Sequence, residues 1–249
     1  MRLALLTAAI YPDRSEAEKA LWIFLASARK AGFDEDDIHL YGIGRDFHHT
    51  TWHDKKLNYQ LDYLKEMSSV FTHILYSDGA DAVICGSAAE IIWKYRKLGS
   101  PKMLVSAAPY IANGQDDFWN IKQYDGYYDE AIVNRYPHCG GYLAEREHVI
   151  DMFERMLQLP RQTWDDSWNW CDAWKEGWFR PQLDYRNEIF YLPPDEPHVD
   201  MDRVVAANPQ LDRPLCTQPN VIHLTGGHVD RETYKDGKLK PLAERLGIL

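Results

Sequence analysis

Cysteine is scarce in this sequence, and long apolar runs are missing. The four cysteines, Cys85, Cys139, Cys171 and Cys216, lie far apart and form no Cys-x-x-Cys pair, which argues against a zinc ribbon and predicts reduced thiols. No apolar run is long enough to span a membrane, and the apolar residues that open the chain are too few for a secretory signal. We therefore expect a cytoplasmic protein, in the host cytoplasm if the chain is viral.

Positive charge is also in short supply. The chain has 28 Lys and Arg against 38 Asp and Glu, and its formal net charge of -10 disfavours a protein that coats nucleic acid. With 249 residues, 45% of them hydrophobic, the chain can bury a sizeable core. We expect a single domain over residues 1–249.

The first half of the chain alternates apolar runs with segments of helical periodicity. Strands are expected over residues 3–9, 37–41, 71–76 and 102–107, and helices over residues 15–31, 54–67 and 87–98. Two helix starts carry capping boxes, Ser15 with Glu18 and Ser87 with Glu90. This alternation predicts an α/β fold with a mostly parallel sheet and helices on both faces.

The alternation stops after Ala108. Residues 109–136 predict an ordered surface excursion, and excursions of that length are usually functional. Further helices are expected over residues 145–159, 164–178 and 238–246, short strands over residues 183–185, 189–192 and 221–224, and a loop over residues 193–220.

Asp78 and Asp81 directly follow the central strand of the predicted sheet. Ligands bind at the carboxyl ends of strands in open α/β sheets, and two carboxylates there suit Mg²⁺ or Mn²⁺ carrying a diphosphate. The same spacing is common in polar turns, where Gly79 would allow a tight bend. The motif alone leaves both interpretations open.

Two further charged pairs have an ordinary and a functional interpretation. Lys55 and Lys56 lie near the start of a predicted helix, where the helix dipole disfavours cations, so they indicate either an anionic ligand such as phosphate or two solvated side chains. Asp165 and Asp166 open a later helix, where acids are stabilised by the dipole.

Taken in order, these elements resemble the GT-A glycosyltransferase domain of the procollagen lysyl hydroxylase and collagen glycosyltransferase type. The resemblance covers roughly residues 3–228. The elements that carry it are the Asp78–Asp81 pair, Tyr136-x-x-x-Gly140-Gly141, Asp165-Asp166, Leu183-Asp184 with Ile189-Phe190, and the late strand ending at His223.

The resemblance implies a GT-A, Rossmann-like fold and a role for each matching residue. Asp78, Asp81 and His223 would bind Mn²⁺ or Mg²⁺. The implied donor-binding residues are Thr7 and Ala8 under the nucleotide, Lys55 or Lys56 at the diphosphate, and Gly140 and Gly141 along the sugar. Asp165 and Asp166 would lie beside the acceptor hydroxyl. The family usually has an aromatic residue inside the acidic motif, where this chain has Gly79 and Ala80, so we assign base stacking to Tyr11.

We therefore predict a metal-dependent glycosyltransferase of the hexosyltransferase type, with a nucleoside-diphosphate sugar, UDP-sugar first, as donor. A hydroxymethylated base in viral DNA is one candidate acceptor, because the basic segment 94–102 could follow a phosphate backbone, although solvated helix faces are the simpler interpretation of that segment. Saccharide and hydroxylysine-type protein acceptors, and a non-catalytic nucleotide-sugar-binding module, remain alternatives. A nucleotidyltransferase fits less well, since no glycine-rich loop follows the first strand.

Overall fold

The structure is a computed structural model that describes residues 1–45, 52–108, 136–158, 166–177, 182–192, 219–224 and 239–249. The strands are β1 (Leu3–Ala8), β2 (Ile38–Tyr41), β3 (His73–Ser77), β4 (Ala82–Ile84), β5 (Met103–Ala108), β6 (Tyr136–Glu145), β7 (Gln182–Leu183), β8 (Phe190–Tyr191) and β9 (Val221–His223). The α-helices are α1 (Arg14–Ala20), α2 (Trp22–Lys30), α3 (Trp52–Glu66), α4 (Ala88–Lys97), α5 (Arg146–Met156), α6 (Asp166–Lys175) and α7 (Lys240–Arg245).

A six-stranded sheet in the order β2-β1-β3-β6-β5-β7 forms the centre of the described residues. Strands β1, β2, β3, β5 and β7 run in one direction, and β6 runs antiparallel between β3 and β5. The predicted mostly parallel α/β sheet is thus confirmed. The carboxyl ends of β1 and β3 meet at one edge of this sheet, which is where the residues after them are brought together.

Both faces of the sheet are covered, because alternate strand residues point to opposite sides. On one face, Tyr76 of β3 joins a buried cluster with residues of α3, α5 and α6, such as Leu61, Phe153 and Trp170. On the other face, Leu75 of β3 packs with residues of α1, α2 and α4. Burial on both sides explains why these strands are almost continuously apolar.

The starts of two helices test the predicted capping boxes. At α4 the prediction is confirmed, since the Ser87 side chain accepts the Glu90 backbone N–H at 3.1 Å. At α1 it is wrong: the N-cap is Asp13, whose carboxylate accepts the Glu16 N–H at 2.9 Å, so the helix begins ahead of Ser15. The predicted single helix is also divided at Leu21 into α1 and α2.

Two strands were not predicted from the sequence. The segment with the paired glycines forms the ten-residue strand β6, which contributes to the central sheet. The three residues after Asp81 form β4, which pairs antiparallel with β9, while β9 pairs with β8, giving a small second sheet β4-β9-β8. This sheet places residue 81 beside residues 223 and 224.

Several expectations concern parts of the chain outside the described residues. They include the excursion over residues 109–135, most of the loop over residues 193–220, and Cys216. Within the described residues, the other three cysteines form no disulfide bond. Among the helices that are described, none combines the length and the apolar composition needed to cross a bilayer.

Candidate functional site

Asp78 lies immediately after β3 and forms a largely buried ion pair with Lys56 of α3. Its backbone N–H donates to the Gly140 carbonyl oxygen at 3.0 Å, which ties the end of β3 to β6. Lys56 Nζ lies 2.9 Å from Asp78 Oδ1 and 3.2 Å from Oδ2. The Lys56 side chain is 8% exposed and that of Asp78 is 25% exposed. The carboxylate therefore faces solvent while its counter-ion lies inside the protein.

Two buried tyrosines, Tyr76 and Tyr142, lie next to the Asp78 carboxylate on the side facing the core. Tyr76 precedes Asp78 by two residues, and its hydroxyl donates to Asp78 Oδ1. The Tyr76 ring stacks on Tyr142 of β6 at 5.0 Å, and Gln60 of α3 donates to the Tyr142 hydroxyl at 2.7 Å. Burial raises the pKa of Tyr76 well above its ordinary value, and the charge of Asp78 adds to the effect. Tyr76 is therefore a permanent hydrogen-bond donor to the site.

Asp81 and His223 meet at the junction between the turn and the small sheet. The Leu224 N–H donates to the Asp81 carbonyl oxygen at 2.8 Å, and His223 Nε2 lies 2.9 Å from Asp81 Oδ1. Burial lowers the pKa of His223, but the Asp81 and Asp78 carboxylates together outweigh burial and leave that pKa above its ordinary value. Asp81 and His223, two of the three predicted metal ligands, are thus in contact with each other.

Gly140 lies beneath His223 and a second histidine. A Cβ atom at Gly140 would lie 2.2 Å from His223 Cε1 and 2.8 Å from His138 Cε1, distances that carbon atoms do not adopt. The two imidazole rings meet edge to face, with centroids 5.2 Å apart, and the Gly140 N–H donates to His138 Nδ1 at 3.1 Å. His138 was missed in the sequence, although it precedes Gly140 by two residues in β6 and so lies on the same face of the strand.

Gly141 is required for packing on the other face of β6. A Cβ atom there would lie 2.9 Å from Phe190 Cδ1 and 3.3 Å from Ser106 Oγ. The space beside both glycines is therefore filled by the protein's own side chains. Contact of either glycine with a donor sugar stays a prediction.

The predicted nucleotide-pocket residues lie at the same edge of the sheet as Asp78. Thr7 ends the buried part of β1, and its Oγ1 has no hydrogen-bond partner within the described part of the chain. A Cβ atom at Gly79 would lie 2.7 Å from Thr7 Oγ1 and 3.1 Å from Phe24 Cδ1. Glycine at position 79 is thus needed for space. Ala8 and Tyr11 are partly buried close by in the chain.

No model of a known protein family matches this sequence, and no curated protein does. Among solved structures, a glycosyltransferase involved in the glycosylation of the major capsid of PBCV-1 has a TM-score of 0.53 and 10% identity, over 95% of this chain and 100% of that one. The fold is GT-A-like. A 4-diphosphocytidyl-2C-methyl-D-erythritol synthase from Anaerococcus prevotii has a TM-score of 0.43 and 13% identity, over 73% of this chain and 87% of that one.

Three predicted site residues cannot be placed within this GT-A-like fold. Asp165 lies outside the described residues, and so do the side chains of Asp166, which opens α6, and of Lys55 in α3. Of the two adjacent lysines, Lys56 is the one whose side chain is seen to reach Asp78.

The donor set suits a divalent metal ion in chemistry and partly in geometry. Two ligands at neighbouring positions of an octahedral ion, each about 2.1 Å from it, lie about 3 Å apart. Asp81 Oδ1 and His223 Nε2, 2.9 Å apart, fit such a pair. Within the described ranges, no three Asp, Glu, His or Cys side chains form a group that could hold a metal ion. Asp78, the third predicted ligand, is paired with Lys56.

One lysine of the basic segment 94–102, which was expected to be able to follow a phosphate backbone, is buried. Lys94 is 3% exposed, and its Nζ lies 3.0 Å from Glu90 Oε1. Burial lowers the pKa of Lys94, although the hydrogen bond and charge of Glu90 act to raise it. Its inclusion in a surface patch was wrong, because the side chain turns inward from α4.

Proposed function

We propose that this chain is a metal-dependent glycosyltransferase that moves a sugar, a hexose first, from a nucleoside-diphosphate sugar to a hydroxyl group. The observation that carries the proposal is that the Lys56–Asp78 and Asp81–His223 pairs both follow from the turn after β3, beside the carboxyl ends of β1 and β3 in a GT-A-like fold. Ligands bind at this edge of open α/β sheets, and a polar turn alone would not need buried partners for both acids.

In this proposal Asp78, Asp81 and His223 hold Mn²⁺ or Mg²⁺. When bound, the ion would neutralise the negative charge that develops on the departing nucleoside diphosphate. Lys56 adds a second positive charge at the same position, in a pocket where its ammonium group is already shielded from water. Asp165 or Asp166 would orient the acceptor hydroxyl and take its proton.

The donor nucleotide lies on Thr7, Ala8 and Tyr11. The Thr7 hydroxyl supports this part of the proposal: it is fully buried and finds no hydrogen-bond partner among the described residues, whereas buried polar groups are nearly always hydrogen-bonded. UDP-sugars are the first donors to test, with the sugar along Gly140 and Gly141. The acceptor candidates are a hydroxymethylated base in DNA, a saccharide and a hydroxylysine-type peptide, and the location is cytoplasmic.

A donor screen in Mn²⁺ tests the proposal. Each nucleotide sugar is incubated with the protein, and released nucleoside diphosphate is measured without acceptor and with hydroxymethylated DNA, simple saccharides or a hydroxylysine peptide. Release with one donor, raised by one acceptor class, is the expected result. Binding of a donor without release would instead identify a non-catalytic module.

Asp81→Ala is the decisive variant in that screen. Loss of an outer partner of a metal ligand already costs 10–100-fold, so loss of a ligand should lower Mn²⁺-dependent release by more than about a hundredfold. Asp62→Ala, an exposed acid on α3, is the matched control and should retain full activity. Unchanged release by Asp81→Ala would refute the metal assignment.

A further inference from the structure

His138 of β6 contacts a neighbour of each acid in the turn after β3. Toward Asp78, its Nδ1 accepts the Gly140 N–H at 3.1 Å, and the Gly140 carbonyl oxygen accepts the Asp78 N–H at 3.0 Å. A backbone N–H can only donate, so Nδ1 carries no proton and the ring's proton is on Nε2. Glycine has no side chain to restrict its backbone, so these two hydrogen bonds fix the conformation of Gly140. His138 therefore acts on the Asp78 end of the turn.

The ring of the same residue acts on the other acid. The His138 and His223 rings meet edge to face, with centroids 5.2 Å apart, and His223 Nε2 lies 2.9 Å from Asp81 Oδ1. Both histidines are 5% exposed, so their rings have little room to turn. A Cβ atom at Gly140 would lie within 2.8 Å of the Cε1 atom of each ring. The His138 ring therefore fixes the plane in which His223 meets Asp81.

The backbone of His138 is fixed from the neighbouring strand. Ser106 of β5 is fully buried, and its Oγ donates to the His138 carbonyl oxygen at 3.0 Å. The register between β5 and β6 shifts from Val105 to Ala107, opposite the segment that contains His138. The side chain thus starts from a fixed point inside the sheet. Support of this kind is what allows a side chain to hold its neighbours in place.

We propose, building on the proposed function, that His138 is a positioning residue for both acids of the turn. Its Nδ1 atom acts on Asp78 through Gly140. Its ring acts on Asp81 through His223. The two contacts together set the distance between the acids. A misplacement of about 1 Å can cost a hundredfold in rate, so this distance matters for transfer whichever partners the acids bind.

Two variants separate the two contacts. His138→Asn removes the ring but keeps an acceptor, because the side-chain oxygen of asparagine is as many bonds from Cα as Nδ1 is. His138→Phe keeps a ring but removes the acceptor. Amide hydrogen exchange at Asp78 should become about fivefold faster in His138→Phe and stay near the wild-type rate in His138→Asn. The NMR signals of the carbon-bound ring protons of His223 should shift mainly in His138→Asn.

His39→Asn and His39→Phe are the matched controls. His39 is half-buried in β2, separated from β6 by two strands. It has the same two kinds of contact, since its Nδ1 lies 2.9 Å from the Tyr63 hydroxyl and its ring meets Phe71 edge to face at 4.7 Å. These variants should lower stability in urea unfolding and leave both signals unchanged. If the two signals move together in both His138 variants, His138 acts only through general stability and the proposal is refuted.

A measurement on wild type needs no variant to fold. Nitrogen-15 NMR of the histidines should show an unprotonated Nδ1 on His138, because that atom accepts the Gly140 N–H. A proton on this Nδ1 would overturn the proposal by itself.

Donor turnover separates this proposal from the proposed function. Both His138 variants should lower kcat for release of nucleoside diphosphate by about a hundredfold, with the donor KM nearly unchanged, since the predicted donor-binding residues Thr7 and Ala8 lie on β1. If the two signals separate but no donor is turned over, the positioning stands and the transferase proposal fails. If a donor is turned over and kcat is unchanged in both variants, the positioning is refuted and the transferase proposal stands.

Discussion

The two acids of the Asp78–Asp81 turn are held by different parts of the molecule. Asp78 belongs to the central sheet, where Lys56 and Tyr76 contact its carboxylate from α3 and β3. Asp81 belongs to the small sheet, where its carboxylate meets His223. The first environment is built from residues close in the chain, and the second depends on a strand near its end. The site therefore forms only when the two sheets are correctly joined.

Gly140 lies at the join between these two halves. Its carbonyl oxygen accepts the Asp78 N–H, and the position of its missing side chain is filled by the His223 ring. One residue without a Cβ thus lets the central sheet and the late histidine approach each other. The residues around Asp78 and those around Asp81 come from parts of the sequence that lie far apart, and the contacts of Gly140 bring the two groups together.

The strongest test of that join is Gly140→Ala. The new methyl group would displace the His223 ring from Asp81, so we expect loss of Mn²⁺ binding by more than about a hundredfold. Overpacking at this position should also lower the free energy of unfolding by about 3 kcal/mol. Calorimetric Mn²⁺ titration and urea unfolding measure the two effects separately.

Gly141→Ala is the comparison variant for this test. Its methyl group meets Phe190 and Ser106 on the opposite face of β6, so it carries a similar packing cost without touching either imidazole. We expect reduced stability with metal affinity nearly preserved. Equal loss of metal affinity in both variants would mean that Gly140 acts only through the stability of β6.

The central sheet could be predicted from the sequence, because its strands are buried on both faces and alternate with amphipathic helices. β3 and α4 appear where the apolar runs and the Ser87 cap place them. β6 could not be predicted, since His138, Gly140 and Gly141 interrupt its apolar pattern. These three residues make contacts between distant parts of the chain. Such contacts leave no local pattern in the sequence.

The candidate site divides in the same way. The acids and His223 could be named from the sequence, but the contact of Lys56 with Asp78 required the position of α3 against β3. Tyr76 carried a readable signal, since residues two apart on a strand share a face. The contact of Asp81 with His223 depends on β4, a three-residue strand too short to show a period.

An intermediate effect is expected from Asp184→Asn, which perturbs the small sheet alone. The Asp184 carboxylate accepts the backbone N–H groups of Glu188, Ile189 and Phe190 at 2.8–2.9 Å, and so fixes the turn before β8. Burial raises the pKa of Asp184, while these three bonds act in the opposite direction. The Asn side-chain NH₂ group would face a backbone N–H, so two donors would oppose each other. We therefore expect the free energy of unfolding to fall by about 2 kcal/mol.

Urea unfolding of Asp184→Asn beside Asp151→Asn, an exposed acid on α5, measures this effect. The Asp151 variant should lose less than about 0.5 kcal/mol, as surface substitutions usually do. If Asp184→Asn matches Asp151→Asn in stability, the buried turn does not hold β8 in place.

The smallest effect is expected from Tyr76→Phe, which perturbs the Asp78 half alone. The variant removes one hydrogen bond to a carboxylate that water can still reach, so we expect a loss of about 1 kcal/mol in stability. Tyr63→Phe is its match, because the Tyr63 hydroxyl contacts His39 Nδ1 at 2.9 Å, away from the site. Of these two variants, only Tyr76→Phe should alter Mn²⁺ affinity, because the Tyr76 hydroxyl contacts Asp78, a proposed metal ligand. A shift of equal size in Tyr63→Phe would show that metal affinity follows general stability and that the support beneath Asp78 has no specific role.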